Sequence, residues 1–369
     1  MAAGKSRALR IIGVLLALVV AGLTVEGASS FALMARDLRS IQPAENFRQA
    51  QYDSLLGWVG LPNLHNANNY GPNLVLTTNA EGMRIHSGDN ATLAPGERRV
   101  ICSGDSFTFG SGVADNETFC SYFEKQFPGV RSLNMSQRGY GIDQAYLWYR
   151  RDAVRYPHQV HLFAFIWNDF ERMALTEFFG YAKPILKLES GKIVAHNVPV
   201  PAWTGSSQDV QVQSVLGRSR LMQLVQRRVG VSDSAKMARV DAQVWDVAAA
   251  VFTDLQKLNQ ERHSQLVLVY LPTMLDYEKG AYDSRRERLA NFSQQSGIPL
   301  VDLTTDLRKV APDSLRWMFI TANGVPVNGS SGHFTARGHE WAAERIAEHV
   351  RTMPPVVSAL IGTAPGAKP

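Results

Sequence analysis

A serine attacks a carbonyl carbon only when a base takes its hydroxyl proton and donors meet the charge that develops on the carbonyl oxygen. The stretch Ile101-Cys102-Ser103-Gly104-Asp105-Ser106-Phe107-Thr108-Phe109-Gly110 offers Ser106 for that role. It follows a short β-type run at 99–102. It therefore lies where a strand of an α/β sheet gives way to a loop and helix, the edge at which ligands and catalytic groups collect. Taken alone, Gly-Asp-Ser is also ordinary turn composition. Histidine suits the base, because its unperturbed pKa lies near neutrality. His333 precedes a helical pattern at 335–350, which would hold its ring at the same sheet edge, and His339 falls inside that helix.

Three further stretches accompany the first: Asn134-Met135-Ser136-Gln137-Arg138-Gly139-Tyr140-Gly141, Phe165-Ile166-Trp167-Asn168-Asp169, and Gly332-His333-Phe334-Thr335-Ala336-Arg337-Gly338-His339. In this order the four blocks resemble those of the SGNH (GDSL) hydrolase family, over about residues 52–350. The resemblance implies Ser106 as nucleophile and His333 as base. It also implies an oxyanion hole built from the Ser106 N–H, the Gly139 N–H and the Asn168 side-chain amide, with neither metal nor organic cofactor. The residue types agree: Gly139 has no side chain to block a close backbone approach, and Asn168 donates from an NH2 without adding charge. Read without the family, Gly139 is a loop glycine and Asn168-Asp169 a helix cap. Asp105 is assigned to tying its loop through backbone hydrogen bonds.

One position departs from the pattern. Family members place an aspartate two or three residues before the histidine, where this chain has Ser331 and Ser330, and no acid lies closer upstream than Asp313. Such an acid fixes the tautomer of the base, and losing it costs about 10⁴ in turnover in a well-studied triad. Three readings follow: a Ser-His dyad oriented by a backbone carbonyl or a serine hydroxyl, an acid recruited from elsewhere, or a degenerate site. The dyad is preferred, because Ser106, Gly139, Asn168 and His333 are all present.

The elements that must position these groups alternate. Apolar runs at 99–102, 130–134, 160–167, 265–271 and 298–302 read as strands. Helical patterns lie at 117–127, with Asn116 as cap, and at 144–156, 240–260, 284–295 and 335–350. The alternation predicts an α/β, flavodoxin-like domain: a parallel five-stranded sheet with helices on both faces. Ahead of it, Tyr52-Asp53-Ser54-Leu55-Leu56-Gly57-Trp58 and Thr78-Asn79-Ala80-Glu81-Gly82-Met83-Arg84 are similar to a preamble of membrane-anchored family members. Packing over the sheet edge is preferred for them over a rim at the active-site mouth. Residues 181–233 interrupt the rhythm with a hairpin at 185–195, turning at Ser190-Gly191, and a cationic helical piece at 218–228 whose Arg227-Arg228 reads as a solvated face. This is treated as a cap. Cys102 falls in the strand before the nucleophile and Cys120 in the following helix. An oxidising compartment would permit a bridge, yet buried free cysteines are common.

The formal charge of +5 is concentrated at the start of the chain, where Lys5, Arg7 and Arg10 precede any acid. The near-balance of the remainder excludes a nucleic-acid binder. The apolar run ALRIIGVLLALVVAGLTV is broken only by Arg10 near its start, and positive charges flank it on its N-terminal side only, which predicts an uncleaved anchor with the rest of the chain outside the cytoplasm. The expected organisation is 1–28 cytoplasmic tip and transmembrane helix, 29–51 linker, 52–352 hydrolase domain with a cap-like insertion at about 180–235, and 353–369 disordered tail. The leading function is removal of an O-acyl group, acetyl or short-chain, from a glycan or lipid. An O-acyltransferase acting on an envelope polysaccharide and a non-catalytic glycan-binding scaffold are the alternatives.

Overall fold

The structure is a computed structural model that describes residues 2–40, 49–86, 92–178, 180–202, 234–278, 280, 282–321 and 330–362. It divides into two compact units, Met1–Ala44 with Thr204–Val240, and Glu45–Trp203 with Asp241–Pro369. In the first, helix α1 (Ala2–Ser40) contains a 19-residue stretch, Arg10–Ala28, that is long and apolar enough to cross a membrane, a test a signal sequence also passes. The helix runs on through the first part of the expected linker.

The second unit is built on five parallel strands: β1 (Arg98–Gly104), β2 (Val130–Ser136), β3 (Val160–Phe165), β4 (Gln265–Tyr270) and β5 (Leu300–Asp302), in the order β2-β1-β3-β4-β5. This is the flavodoxin-like order, with its switch point between β1 and β3. All five expected strands form; the four longer ones are almost wholly buried because helices cover both faces, and the edge strand β5 buries Val301. Side chains alternate across the sheet. Val100, Cys102, Leu162, Ala164, Val267, Val269 and Val301 face one core, completed by α3 (Phe119–Glu124) and, near the C-terminus, α11 (Ala336–Arg351) and α12 (Pro354–Ile361). On the other face, α4 (Ile142–Asp152) and α6 (Ser234–Glu261) meet His161, Phe163 and Phe165 through Tyr149 and Phe252.

Several boundaries differ from the sequence reading for local reasons. Asn116 does not cap the helix after β1. It lies in a 3₁₀ turn, Asp115–Glu117, and Thr118 caps α3 by accepting from the Ser121 N–H at 3.1 Å. The tail expected from residue 353 begins instead as α12, because its two prolines sit at the first helical positions and its Val356 and Leu360 are buried in the core. Residues 363–369 lie outside the described residues. So do 203–233, and with them the expected helical piece and Arg227-Arg228. The hairpin forms as Ile185–Glu189 paired with Lys192–His196. Ser190 and Gly191 both take positive φ, 50° and 75°, as a two-residue turn between twisted strands requires.

The preamble packs. Ala50–Asp53 pairs with Gly57–Gly60, and Arg84 bridges to Asn134 on the edge strand β2. Trp58 is fully buried against Tyr140 and Tyr181 and donates its indole N–H to the Arg138 carbonyl at 3.0 Å. Cys102 and Cys120 are joined as a disulfide, tying β1 to α3.

Candidate active site

β1 ends at Gly104, where any side chain would collide: a Cβ there would lie 2.3 Å from the Ala164 carbonyl oxygen and 2.4 Å from the Thr108 hydroxyl. The chain turns at once into the single-turn helix α2 (Ser106–Phe109), capped by Asp105, whose Oδ1 accepts from the Phe107 N–H at 2.9 Å. Ser106 is its first residue. The far end of α2 is held by Arg84, only 1% exposed, which donates to the carbonyls of Phe109 (2.8 Å), Gly110 (2.7 Å) and Val113 (2.7 Å) and pairs with Asp115 (2.8 Å). The loop that carries the serine is thus pinned from within the protein, which is the condition for a preorganised site.

His333 arrives from the other end of the chain. Its loop is fastened by hydrogen bonds from the Ile320 N–H to the His333 carbonyl (2.8 Å) and from the His333 N–H to the Ser330 carbonyl (3.1 Å), and its ring lies on Phe107 with centroids 4.7 Å apart. Nε2 is 2.7 Å from Ser106 Oγ and Nδ1 is 3.1 Å from the Ser330 carbonyl oxygen. A carbonyl only accepts, so Nδ1 carries the proton and Nε2 presents its lone pair to the serine hydroxyl. Burial pushes the His333 pKa down, which favours the neutral ring a base requires. The place where an acid was missing in the sequence is filled by a backbone oxygen.

Gly139 and Asn168 come from the loops after β2 and β3, the two strands that flank β1. Gly139 takes φ 78°, and a Cβ on it would lie 2.9 Å from the Phe178 ring. Its loop is tied to β1 by the Gln137 N–H, which donates to the Gly104 carbonyl at 3.2 Å. Asn168 lies in the first turn of α5 (Trp167–Arg172), and its Nδ2 donates to Glu171 Oε2 at 3.2 Å. The N-cap of that helix is Ile166, whose N–H donates to the side chain of Asp169, three residues on, at 3.1 Å. The structure thus brings Ser106 and His333 into direct contact and sets Gly139 and Asn168 at the same edge on either side of them. His339 packs away from the site, accepting the Phe119 N–H at 3.2 Å, with its pKa pushed down to about 3 by burial.

Arg172 was not singled out in the sequence. Its Nη1 donates to the Tyr140 carbonyl at 2.9 Å, pairs with Asp169 and lies 3.4 Å from Asp105 Oδ2, while its guanidinium rests 5.0 Å from the Phe178 ring centroid. The spacing of Asp169 and Arg172, three apart just after a strand that ends at the site, is the trace it leaves in the sequence.

No protein-family model matches the chain, and no curated protein matches it by sequence. Among solved structures it is similar to a member of the lipolytic protein G-D-S-L family from Veillonella parvula (14% identity, TM-score 0.37), covering 68% of this chain and 96% of that one. It is similar to the acetyl xylan esterase AlAXEase (13%, TM-score 0.39; 68% and 99% covered). It is also similar to Axe2, an acetylxylan esterase from Geobacillus stearothermophilus (10%, TM-score 0.39; 68% and 93% covered). The fold described above rests on strand order, not on these likenesses.

Proposed function

We propose that this chain is a serine-dependent acyl-ester hydrolase of the SGNH type, held at a membrane by its N-terminal helix and acting outside the cytoplasm on an O-acylated glycan or lipid. The observation that carries this reading is the Ser106–His333 contact of 2.7 Å, with the tautomer of the base fixed by the Ser330 carbonyl. Ser106 Oγ bonds to the acyl carbon as its proton passes to His333 Nε2, and the carbonyl π pair moves onto oxygen. The N–H groups of Ser106 and Gly139 and the amide of Asn168 are the donors for that oxygen; Asn168 must turn from Glu171 to join them. Collapse breaks the bond to the alcohol, which leaves with the proton from Nε2, and water repeats the sequence on the acyl-enzyme. The disulfide between Cys102 and Cys120 supports an oxidising compartment.

The test is intact-mass labelling of the full chain, in detergent, with a fluorophosphonate probe. One label per chain, lost in both Ser106→Ala and His333→Ala, is expected. A folded wild-type chain that takes no label overturns the reading and leaves a binding protein on a hydrolase fold.

A further inference from the structure

A histidine that takes the serine proton becomes a cation, and a cation withdrawn from water needs a countercharge. The group on Nδ1 does not provide one, since the Ser330 carbonyl is a dipole without net charge. The carboxylate beside the reacting atoms is Asp105, which is 1% exposed. Its Oδ1 is committed to the Phe107 N–H, and this aims Oδ2 at the serine, 3.3 Å from Oγ. The carboxylate and the imidazole therefore flank one oxygen atom. On its far side Oδ2 meets Arg172, whose same nitrogen holds the Tyr140 carbonyl next to Gly139.

Resting on the reading of Ser106 and His333 as nucleophile and base, we propose that Asp105 is the counter-ion of the His333 imidazolium. Arg172 is the positioning residue that holds Asp105 against the serine and pins the turn carrying Gly139. Asp105 takes no proton in the reaction. The proton moves from Oγ to Nε2 and on to the leaving alcohol, and the carboxylate acts through its field alone.

The other charged groups around the pair leave these two in opposition. Asp169 on α5 is pushed well above the usual carboxylate range, first by burial and then by the Asp105 charge. Asp143 on α4 is bound in a fully buried ion pair with Lys183, and Arg84 is bound to Asp115. His339 on α11 is kept neutral by burial. Against the burial that lowers the His333 pKa, the Asp105 charge works upward and the Arg172 charge downward. Removing one or the other must move the base in opposite directions.

The experiment follows His333 directly in the full chain, in detergent, by NMR titration of histidine-labelled protein, with His333→Gln identifying its signal. Alongside, the pH dependence of fluorophosphonate labelling and of acetyl-ester hydrolysis is recorded. Asp105→Asn keeps the cap, because asparagine caps as well as aspartate. It is expected to lower the His333 midpoint by about one pH unit, to move the acid limb of the rate profile with it, and to slow acylation about 10- to 100-fold. Arg172→Met is expected to raise the midpoint. Arg172→Lys, which keeps the charge, restores the wild-type midpoint while kcat stays low, because a single ammonium cannot hold Asp105 and the Tyr140 carbonyl as the guanidinium does. A wild-type chain that labels at Ser106 but shows an unmoved midpoint in Asp105→Asn, or shifts of the same sign in both charge-removing variants, overturns the counter-ion role and leaves the hydrolase reading standing. Opposite shifts in a chain that does not label uphold the coupling and overturn the hydrolase reading instead.

Discussion

Among the described residues, two serine–histidine pairs have their serines three residues apart, Ser103 on β1 and Ser106 at the start of α2, and they are wired in opposite senses. At the site, Ser106 meets His333 Nε2 at 2.7 Å, and Nδ1 donates to a carbonyl. Inside the sheet, Ser103 meets His161 Nε2 at 2.5 Å, but there Nδ1 faces the Asn259 amide nitrogen at 3.1 Å. That nitrogen also donates to the Leu255 carbonyl at 2.8 Å, and Asn259 Oδ1 accepts from the Tyr149 hydroxyl at 2.7 Å, so the amide orientation is fixed. Nδ1 of His161 is therefore the acceptor, and Nε2–H donates to Ser103. His161 cannot act as a base toward its serine. Its ring is fully buried with Tyr149 stacked on it at 3.7 Å, where the pair satisfies polar groups between two helices and the sheet. The same two residue types leave the histidine an acceptor toward its serine or a donor to it, according to what the second ring nitrogen touches.

The sharpest break of this comparison exchanges the two histidines as targets. His333→Ala is expected to lower acylation of Ser106 by about 10⁴- to 10⁶-fold with little change in the thermal midpoint. His161→Ala should leave one fluorophosphonate label per folded chain while costing about 3 kcal/mol in chemical denaturation, for the cavity and for Ser103 and Asn259 left without their partner. A His161 variant that folds normally but takes no label would show that the inner pair supports the chemistry, and the contrast would fall.

Acid should separate the pairs next. Burial pushes His158, which bonds the Tyr149 hydroxyl at 2.8 Å, down to about 4, and pushes His161 well below its ordinary value. Both folded-state values lie below the unfolded one, so between the ordinary histidine pKa and about pH 4 the unfolded chain binds the extra protons. Stability is therefore lost as pH falls through that window, by about 3 kcal/mol for His158 alone once pH 4 is reached. The expected observation is a thermal midpoint that falls on acidification and a His158→Gln variant whose fall is shallower. Equal slopes in the two proteins would assign the acid lability to other groups.

The outer pair was legible in the sequence and its wiring was not. Ser106, Gly139, Asn168 and His333 stand in stretches whose order along the chain mirrors the order of the elements, and the period of the apolar runs placed all five strands. A backbone carbonyl leaves no mark on residue identity, so the preferred dyad could name a backbone carbonyl or a serine hydroxyl only as the kind of group on the second ring nitrogen, and the structure puts the Ser330 carbonyl there. Beyond its i,i+3 pair with Asp169, Arg172 reaches Asp105 and the Tyr140 carbonyl, in loops after two other strands that meet it only in the folded sheet. Side-chain periodicity carries no record of such a meeting. Thr118 and Asn116 are both good caps, and the 3₁₀ turn at Asp115–Glu117, with Asp115 drawn in to Arg84, decides between them. The amphipathic Pro354–Ile361 is too short to announce itself by period, and only the apolar surface offered by β1, β3 and α11 makes it a helix worth forming.

The smallest expected effect lies at Gly139, where the contrast between the two serines depends on space more than on protons. A side chain there meets the Phe178 ring at 2.9 Å and must also hold φ 78°, a conformation that costs an L-residue about 1 kcal/mol or more. Gly139→Ala should therefore slow fluorophosphonate labelling about tenfold by shifting the N–H proposed as an oxyanion donor, with the acid limb of the rate profile unmoved because His333 is untouched. Combining it with Phe178→Ala relieves the collision but not the backbone strain. If the double variant recovers the full wild-type rate, the ring contact alone accounts for the loss; if it recovers only part, the turn itself must be left-handed for the donor to point at the substrate.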